Sequence, residues 1–301
     1  MGDILPADLT GQKFRCIVAD PPWPIGNFPA WFCKEKRSKR ENEIGINPTP
    51  YQTMTLPEIE LLPISKIAAD GAHLYLWVPD AFMETALQIV RLWGFDKSAT
   101  LVWCKKPMGK GLGGTYPSNV EFILFCRRVD NQGWKKFGAW MREQRKIAGL
   151  TTGRVCAAIG AHGKINHGGM QSNWENGLAV PTLEQWAKIK PLFGVNEEKD
   201  KELRSLQIES RNRAVSRWYQ WSRGKHSEKP EAFQDIAETV SPGPYLELFA
   251  RRPRLGWTTI GKDIDGKDIL ESLSLLAQGN NPCSSVSELG EKTIEKENSN
   301  G

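Results

Sequence analysis

The sequence predicts an α/β fold, in which one sheet carries helices on both faces and a small all-α domain is inserted into it. Three observations predict this fold. Short apolar runs typical of buried strands alternate with segments of helical periodicity. The alternation stops between residues 138 and 225, where helical periodicity continues without a clear strand. It then resumes, so that two halves of the sheet flank the insertion.

The first half of the sheet is predicted before residue 137. Phe14–Ala19 is an apolar run with the pattern of a buried strand. Apolar residues recur at helical spacing over residues 56–69, although Pro63 must interrupt that helix. Residues 81–93 form an amphipathic helix that ends at Gly94, a residue suited to a helix C-terminus. Three further strands are predicted at residues 73–78, 99–104 and 120–126.

The second half of the sheet follows the insertion. Residues 230–239 are helical in pattern, and residues 245–249 and 257–260 are strands. From about Gly279 the chain is rich in Ser, Asn, Glu and Lys, a composition typical of a disordered tail. We therefore divide the chain into four segments. They are the first part of the α/β domain (1–137), the insertion (138–225), the second part of the α/β domain (226–272) and the tail (273–301).

The composition, 40% hydrophobic and 25% charged, is that of a globular protein. No apolar run approaches the roughly 20 residues that a membrane helix needs, so we expect no membrane association. The first residues lack the pattern of a secretory signal, and the six cysteines are scattered without a CxxC pair. We expect reduced thiols, no metal site and a cytoplasmic location.

Charge is distributed unevenly. The whole chain carries a net charge of +5, whereas residues 138–225 contain fifteen Lys/Arg and eight Asp/Glu, a net charge of +7. A basic segment on a nearly neutral body suggests a polyanionic partner bound by that segment. Basic surfaces also occur on proteins that bind no nucleic acid, so charge alone leaves both alternatives open.

The tetrapeptide Asp20-Pro21-Pro22-Trp23 follows the first predicted strand directly. In open α/β sheets, ligands bind at the carboxyl ends of strands. The Asp20 carboxylate and the rigid carbonyl of Pro21 provide two acceptors, which suit the two N–H bonds of an exocyclic amino group. Trp23 is suited to stack on the ring that carries the amine. The alternative is a turn that Asp20 caps and the prolines end; directly after an apolar strand, we favour the amine site.

The motif DPPW resembles the catalytic motif of the MT-A70-like adenine N6-methyltransferases, which use S-adenosylmethionine. Further segments agree with this family in order: YQTM, LYLWV, LWGF, WCK, HSEKP, LELFAR and GW. The likeness covers residues 14–128 and 226–270. It implies a Rossmann-like S-adenosylmethionine-dependent methyltransferase sheet in the permuted (β-class) order, with the catalytic strand before the cofactor strand.

The resemblance also implies roles for individual residues. Asp20 and the carbonyl of Pro21 would accept the amino protons of adenine, in a pocket completed by Pro22 and Trp23. Tyr51 would add to this pocket, although a tyrosine packed under a loop is an alternative. Lys229 would meet the carboxylate of the cofactor's methionine moiety. The expected cofactor-binding residues are Asp20, Lys229, Glu247, Phe249, Arg251, Lys262 and Asp263.

Three pieces of the insertion, REQRKIAGLT, MQSNWENG and PTLEQWAKIKPLFGV, resemble the XRE-like helix-turn-helix DNA-binding domain. Helices are predicted at residues 142–148 and 152–159, followed by a reading helix that ends at Asn176. Trp174 is predicted to lie in its core. An insert that serves only folding or dimer contact is the alternative. The residues expected to contact nucleic acid are Lys36, Arg37, Lys39, Arg40, Lys105, Gln171, Ser172 and Asn173.

The sequence therefore predicts an S-adenosylmethionine-dependent methyltransferase that modifies a flipped-out adenine in DNA. The same chemistry on RNA is a close alternative. A catalytically silent DNA-binding regulator on a methyltransferase scaffold is a third, which the intact DPPW motif disfavours. Nothing in the sequence defines an oligomeric state.

Overall fold

The computed structural model describes residues 11–25, 52–106, 119–160, 167–206, 212–222, 224, 228–266 and 268–278. The strands are β1 Phe14–Ala19, β2 Ala68–Val78, β3 Phe95–Lys106, β4 Val120–Arg128, β5 Trp218–Ser222, β6 Tyr245–Leu248 and β7 Trp257–Ile260. The helices are α1 Leu56–Glu60, α2 Ile64–Ile67, α3 Met83–Leu92, α4 Gln132–Ile147, α5 Thr152–Ala158, α6 His167–Glu175, α7 Leu183–Ile189, α8 Glu197–Leu206, α9 Ala232–Val240, α10 Lys262–Asp265 and α11 Ile269–Gln278.

The strands form one mixed sheet in the order β5-β3-β4-β2-β1-β6-β7. Strand β4 runs antiparallel to both of its neighbours, and the other pairs are parallel. The α/β prediction, a Rossmann-like sheet of the methyltransferase type, is confirmed. The predicted interruption at Pro63 is also observed, since α1 and α2 lie on either side of it.

Helices cover both faces of the sheet because successive strand residues point to opposite sides. On the first face, α1, α2, α3 and α11 pack against strand residues in one apolar cluster, which includes Ile17, Leu76, Ile89, Leu246 and Leu273. On the second face, α9 packs against a cluster that includes Val18, Trp77, Trp103 and Phe233. Buried strands with both faces covered explain why the sequence shows continuous apolar runs.

After β1 and after β6, the next strand of the chain lies toward opposite edges of the sheet. From β1 the chain continues to β2 on one side, and from β6 it continues to β7 on the other. In parallel sheets such a reversal opens a crevice beyond the carboxyl ends of the two strands. Asp20 directly follows β1 and therefore lies at this crevice.

Strands β3 and β5 extend past the end of β2. Val78, the last residue of β2, is level with Phe122, Val102 and Trp218 on the successive neighbouring strands. Residues 103–106 of β3 and residues 219–222 of β5 therefore stand above the carboxyl end of β2. We call these eight residues the raised edge.

Strand β5 corrects the expectation that residues 138–225 contain no strand. Its sequence, WYQWS, has no aliphatic residue, and its side chains alternate between exposed and half-buried. Because none of its side chains is fully buried, β5 lacks the apolar run that marks a buried strand.

Helices α4 to α8 have a core of their own, formed by Phe137, Met141, Val155, Trp174, Trp186, Ile189, Phe193 and Leu203. The burial of Trp174 agrees with its predicted core position. The predicted first helix is the second half of α4, which is 16 residues long. The helix-turn-helix arrangement stays a prediction, because residues 161–166 between α5 and α6 lie outside the described residues.

Helix α11 reaches Gln278 and places Leu273 and Leu276 in the first cluster, so it includes the start of the segment predicted as a tail. In the described ranges, no helix has the length and apolar character needed to cross a bilayer. The cysteines in these ranges, Cys16, Cys104, Cys126 and Cys156, are free thiols.

The crossing of α4 and α6 yields a stability prediction. A Cβ on Gly138 would lie 2.3 Å from the Trp174 carbonyl oxygen, whereas a Cβ on Gly153 in α5 would meet nothing closer than 3.9 Å. We expect Gly138→Ala to lower the free energy of unfolding by about 2 kcal/mol, because the two backbones must separate. Gly153→Ala is the matched control and should be neutral or stabilising by up to about 1 kcal/mol. Urea unfolding followed by circular dichroism measures both, and equal midpoints would contradict the close crossing.

Candidate active site

An open cleft lies at the carboxyl ends of β1 and β6. Its lining combines six charged side chains, one amide and two aromatic rings: Asp20, Trp77, Glu228, Lys229, Gln234, Glu247, Phe249, Arg251 and Arg252. The structure thus brings together Asp20 and four of the residues predicted for the cofactor, Lys229, Glu247, Phe249 and Arg251. No group of three metal-ligating side chains is found among the residues that the structure describes.

Backbone hydrogen bonds fix the DPPW turn. The N–H of Trp23 donates to the carbonyl oxygen of Pro21 at 2.8 Å, and the N–H of Met54 donates to that of Pro22 at 2.9 Å. A carbonyl oxygen has two lone pairs, so the Pro21 oxygen keeps one acceptor position for a ligand. The turn therefore retains the two acceptors that the sequence predicts, the Asp20 carboxylate and the Pro21 carbonyl.

Trp23 does not form the predicted stacking wall. Its side chain is only 3% exposed and stacks on Phe82, with ring centroids 5.4 Å apart. Its indole N–H donates to the carbonyl oxygen of Trp77 at 2.9 Å. The ring is thus buried and has no free face for a base. Tyr51, the other predicted pocket residue, lies outside the described residues.

The ammonium of Lys229 joins two carboxylates. Its Nζ lies 3.1 Å from Oδ1 of Asp20 and 2.7 Å from Oε2 of Glu121. It also lies 5.0 Å from the centroid of the Trp77 ring, within the range of a cation–π interaction. Lys105 forms an ion pair with the other oxygen of Glu121. The result is a line of alternating charges, Asp20–Lys229–Glu121–Lys105.

Burial and the neighbouring charges shift the pKa values of this network. Burial raises the pKa of Asp20, Lys229 opposes this shift, and the negative charge of Glu121 adds to it. Burial alone would lower the pKa of Lys229, but Asp20 and Glu121 outweigh it and raise that pKa. For Glu121, burial acts to raise the pKa, but Lys229 and Lys105 outweigh it and the pKa falls. Lys229 and Glu121 are therefore held in their charged forms.

A second group of acceptors lies beside β6. The amide nitrogen of Gln234 donates to Glu247 at 3.0 Å, and burial raises the pKa of Glu247. The amide oxygen of Gln234 is buried and has no hydrogen-bond partner among the residues that the structure describes. The buried amide oxygen of Gln234 and the half-buried carboxylate of Glu247 fit a ligand with hydroxyl or ammonium donors, and S-adenosylmethionine carries both. The residues present therefore fit this cofactor.

Phe249 adopts an unusual backbone conformation at the end of β6. Its φ is +62°, in the left-handed region that non-glycine residues rarely occupy. This bend directs the chain along the cleft, which Phe249 and Arg251 both line. Strained residues of this kind are characteristic of ligand sites, because the surrounding structure must hold them.

Arg252 fixes the segment that carries Lys229. Its guanidinium forms ion pairs with Glu228 at 2.5 Å and Glu231 at 2.9 Å, and it donates to the Lys229 carbonyl oxygen at 3.1 Å. The expectation that Lys229 meets a cofactor carboxylate does not fit this arrangement, because its ammonium already contacts two protein carboxylates. Lys262 and Asp263 lie exposed on α10, just after β7, and do not belong to the cleft lining.

The residues predicted to contact nucleic acid occupy different environments. Lys36, Arg37, Lys39 and Arg40 lie outside the described residues. Lys105 belongs to the charge network of the cleft. On α6, Ser172 and Asn173 are exposed, as a reading helix requires.

Gln171 requires a correction, because its side chain is fully buried and cannot contact a base from this position. Its amide nitrogen donates to Glu175 at 2.8 Å. The same carboxylate forms hydrogen bonds with Arg145 of α4 at 2.5 and 3.1 Å. Gln171 therefore helps to satisfy a buried carboxylate that joins α4 and α6.

Sequence reasoning did not assign a site role to Glu121, Trp77 or Gln234. Glu121 did leave a signal, because it is the one charged residue in the apolar run 120–126. Its proximity to Asp20 depends on the antiparallel direction of β4, which places the start of that strand at the cleft. Trp77 and Gln234 are indistinguishable by pattern from ordinary strand and helix residues.

Comparison with known proteins agrees with this geometry. Residues 14–119 match the MT-A70 family model, so the resemblance inferred from the DPPW motif is confirmed. The type II methyltransferase M.MunI of Mycoplasma sp. is 30% identical over 128 residues, 40% of this chain and 53% of M.MunI. The N(6)-adenosine-methyltransferase MT-A70-like protein of Drosophila melanogaster is 30% identical over 257 residues, 84% of this chain and 27% of the relative.

Human METTL3, an N(6)-adenosine-methyltransferase catalytic subunit, is 31% identical over 93 residues, 31% of this chain and 12% of the relative. The chain thus spans about half or less of the length of these relatives. The MT-A70 match contains the DPPW turn and Lys105 and ends before Glu121 and Lys229.

The central position of Lys229 yields a prediction. Lys229→Met removes the cation that lies 3.1 Å from Asp20, and we expect it to lower the free energy of unfolding by about 3 kcal/mol at pH 7. The loss should shrink as the pH falls, because burial raises the folded-state pKa of Asp20 once Lys229 is gone, and protonation of Asp20 then favours the folded state. Urea unfolding at pH 7 and pH 5 measures both effects.

Lys188→Met is the matched control for this experiment. Lys188 pairs with Glu184 on the exposed surface of α7, and removal of such a solvent-screened pair should leave stability nearly unchanged. If the two variants lost equal stability, Lys229 would not hold the buried carboxylates.

Proposed function

We propose that this chain, whose residues 14–119 match the MT-A70 family model, is an S-adenosylmethionine-dependent adenine N6-methyltransferase that acts on DNA. One observation carries the proposal. Asp20 lines the cleft at the carboxyl ends of β1 and β6 together with the acceptors of Glu247 and Gln234, and Pro21 follows Asp20 directly in the chain. An amine site and a cofactor site therefore share one cleft.

The geometry of the amine site explains how the chain would activate adenine. Asp20 and the Pro21 carbonyl accept the two N–H bonds of the amino group, and this orients the nitrogen lone pair toward the open cleft. S-adenosylmethionine supplies an electrophilic methyl group on its sulfonium. As the nitrogen gains that methyl group, the amine must lose one proton. Asp20 is placed to accept it, and the burial that raises its pKa makes it a better base than an exposed aspartate.

Residues beside β6 would hold the cofactor. Glu247 and the unpartnered amide oxygen of Gln234 would accept hydrogen bonds from its hydroxyl or ammonium groups. Phe249 would contact its apolar parts, and Arg251 would bind its carboxylate, since Lys229 already contacts two carboxylates. Lys229 and Glu121 would act as positioning residues that orient Asp20.

DNA is the polymer that the charge and the insertion favour. Residues 138–225 carry a net charge of +7, and Ser172 and Asn173 present polar side chains on the exposed side of α6. Cations bind phosphates irrespective of sequence, and polar side chains on a helix can read base edges. Adenine in a duplex must be flipped out to reach Asp20.

RNA is the second candidate, because several relatives are named N(6)-adenosine-methyltransferases. The silent regulator is the third reading. It is disfavoured by a cleft that contains Asp20 together with the amide oxygen of Gln234, which has no hydrogen-bond partner among the described residues.

Expression in a bacterial host that lacks adenine methylation would test the proposal. Genomic DNA from this host is sequenced for N6-methyladenine, and total RNA is digested and analysed for the same base by mass spectrometry. Methylated DNA at one sequence supports the proposal and defines the recognition site. Methylated RNA without methylated DNA would support the second candidate, an RNA methyltransferase. If neither DNA nor RNA were methylated, the result would favour the catalytically silent regulator.

Asp20→Asn should reduce methyl transfer at least 100-fold, because the amide is a poor proton acceptor and is uncharged. Asp80→Asn is the matched control: Asp80 also follows a strand and a proline at the same edge of the sheet, but it is exposed and outside the cleft lining. Transfer of a radiolabelled methyl group to DNA is measured for both. Equal activities of Asp20→Asn and wild type would remove the basis of the mechanism.

The pH dependence of methyl transfer provides a further prediction. The rate should fall as the pH falls through the pKa of Asp20, which burial raises above 3.8, because only the ionised form accepts the amine proton. Glu121→Gln removes a negative charge that raises this pKa and should move the acidic limb to lower pH. The acidic limb is measured in the pH profile of kcat/KM for wild type and Glu121→Gln. If the limb of the variant stayed in place or moved to higher pH, Asp20 would not be the proton acceptor.

A further inference from the structure

The raised edge places a second surface beside the cleft. Four residues of β3 continue beyond the level of Val78, a distance of about 13 Å at 3.3 Å per residue. Strand β5 accompanies them in parallel register, from Trp103 opposite Tyr219 to Lys106 opposite Ser222. This two-stranded extension stands on the side of the sheet where the carboxyl ends of β1 and β2 also lie.

Two aromatic rings, stacked on each other, form a platform on the raised edge. Tyr219 and Trp221 stack with ring centroids 4.8 Å apart and an interplanar angle of 2°. They share one face of β5, because they are two residues apart, and both are half-buried. Trp221 packs against the second-face cluster, and its carbonyl oxygen accepts the indole N–H of Trp103 at 3.1 Å. Trp218, which is 58% exposed, lies on the opposite face.

Contacts connect this platform to Asp20. Lys105 lies 5.2 Å from the ring centroid of Trp103 and forms an ion pair with Glu121. Glu121 in turn contacts Lys229, which contacts Asp20. The platform therefore adjoins the far end of the charge network, and a ligand that extends from the cleft along this face of the sheet would reach it.

The charge around the platform favours a polyanion. Residues 211–225 contain five Lys/Arg and no Asp/Glu. Of these cations, Arg213 and Arg217 are described and exposed, and Lys106 is exposed at the end of β3. Neither arginine forms an ion pair with any residue in the described ranges. Aromatic rings interleaved with cations are the pattern by which proteins bind single-stranded nucleic acid.

We propose that Tyr219 and Trp221 form a stacking subsite for bases adjacent to the target adenine in the polynucleotide substrate. This inference rests on the proposed function. A base that leaves its stack exposes the faces of its neighbours, and an aromatic platform beside the cleft would cover them. Arg213, Arg217 and Lys106 would neutralise the adjoining phosphates. The subsite stabilises the opened strand without reading its sequence.

Binding of a single strand tests the subsite without requiring turnover. The probe is a fluorescein-labelled DNA strand of 15 nucleotides, with one adenine and random flanks, and the full chain is titrated while anisotropy is recorded. Trp221→Leu keeps an apolar side chain against the second-face cluster but removes the flat ring. We expect it to raise the Kd about 10-fold, and Trp221→Phe to restore most of the affinity. Tyr219→Leu serves as an independent variant if Trp221→Leu proves unstable.

Trp218→Leu is the matched control, because it removes an indole from the other face of the same strand. It should leave the Kd within about 2-fold of wild type, if only the Tyr219–Trp221 face stacks on bases. The wild type should bind a strand with abasic sites on both sides of the adenine more weakly than the intact strand. Trp221→Leu should bind the two strands with nearly equal affinity. Calorimetric titration with S-adenosylmethionine confirms an intact cleft in each variant.

The outcomes separate this inference from the proposed function. If wild type methylates DNA but Trp221→Leu binds the strand as wild type does, the subsite is wrong and the function stands. If no polynucleotide is methylated but the variants weaken binding as expected, the function fails and the stacking surface stands. Equal losses for Trp218→Leu and Trp221→Leu, or no binding of the strand by wild type, would overturn the subsite.

Discussion

The ion pairs of Lys229 are the interaction on which the site depends. Asp20 and Glu121 converge because β1 ends and the antiparallel β4 begins at the same edge of the sheet. Each side chain is about one-fifth exposed, so two ionised carboxylates would repel each other in a poorly solvated position. The ammonium of Lys229 separates and neutralises them. Arg252 fixes the position of Lys229, since it binds both acidic neighbours of the segment and the Lys229 carbonyl.

This arrangement also explains why the site requires the whole sheet. Lys229 and Glu121 are 108 positions apart in the chain, and α4 to α8 lie between them. The network therefore forms only when the strands on both sides of the insertion have paired. A helical unit with its own core can occupy that position without disturbing the network, because it leaves the sheet after β4 and returns at β5, away from the β1–β6 crevice.

The sequence was most informative where burial on both faces produced apolar runs, and less so elsewhere. Strand β1, the second half of β2 and the acid after β1 were predictable for that reason. Strand β5 was not, because an edge strand with alternating exposure has no such run. Trp23 was misinterpreted, since a tryptophan after two prolines gives no indication that the turn folds its ring onto Phe82. Gln171 was misplaced because its burial depends on the partners of Glu175, which lie on another helix.

The two effects on Asp20 act in opposite directions, and the proposed chemistry needs both. Burial alone would raise its pKa until the group was protonated, and a protonated carboxyl donates a hydrogen bond where the amine requires an acceptor. A cation alone would lower the pKa and leave a weak base. With both present, Lys229 favours the ionised form, while burial and Glu121 keep it basic. Asp20 can then remain an acceptor for the N–H bonds and still receive a proton when the amine becomes acidic during methyl transfer.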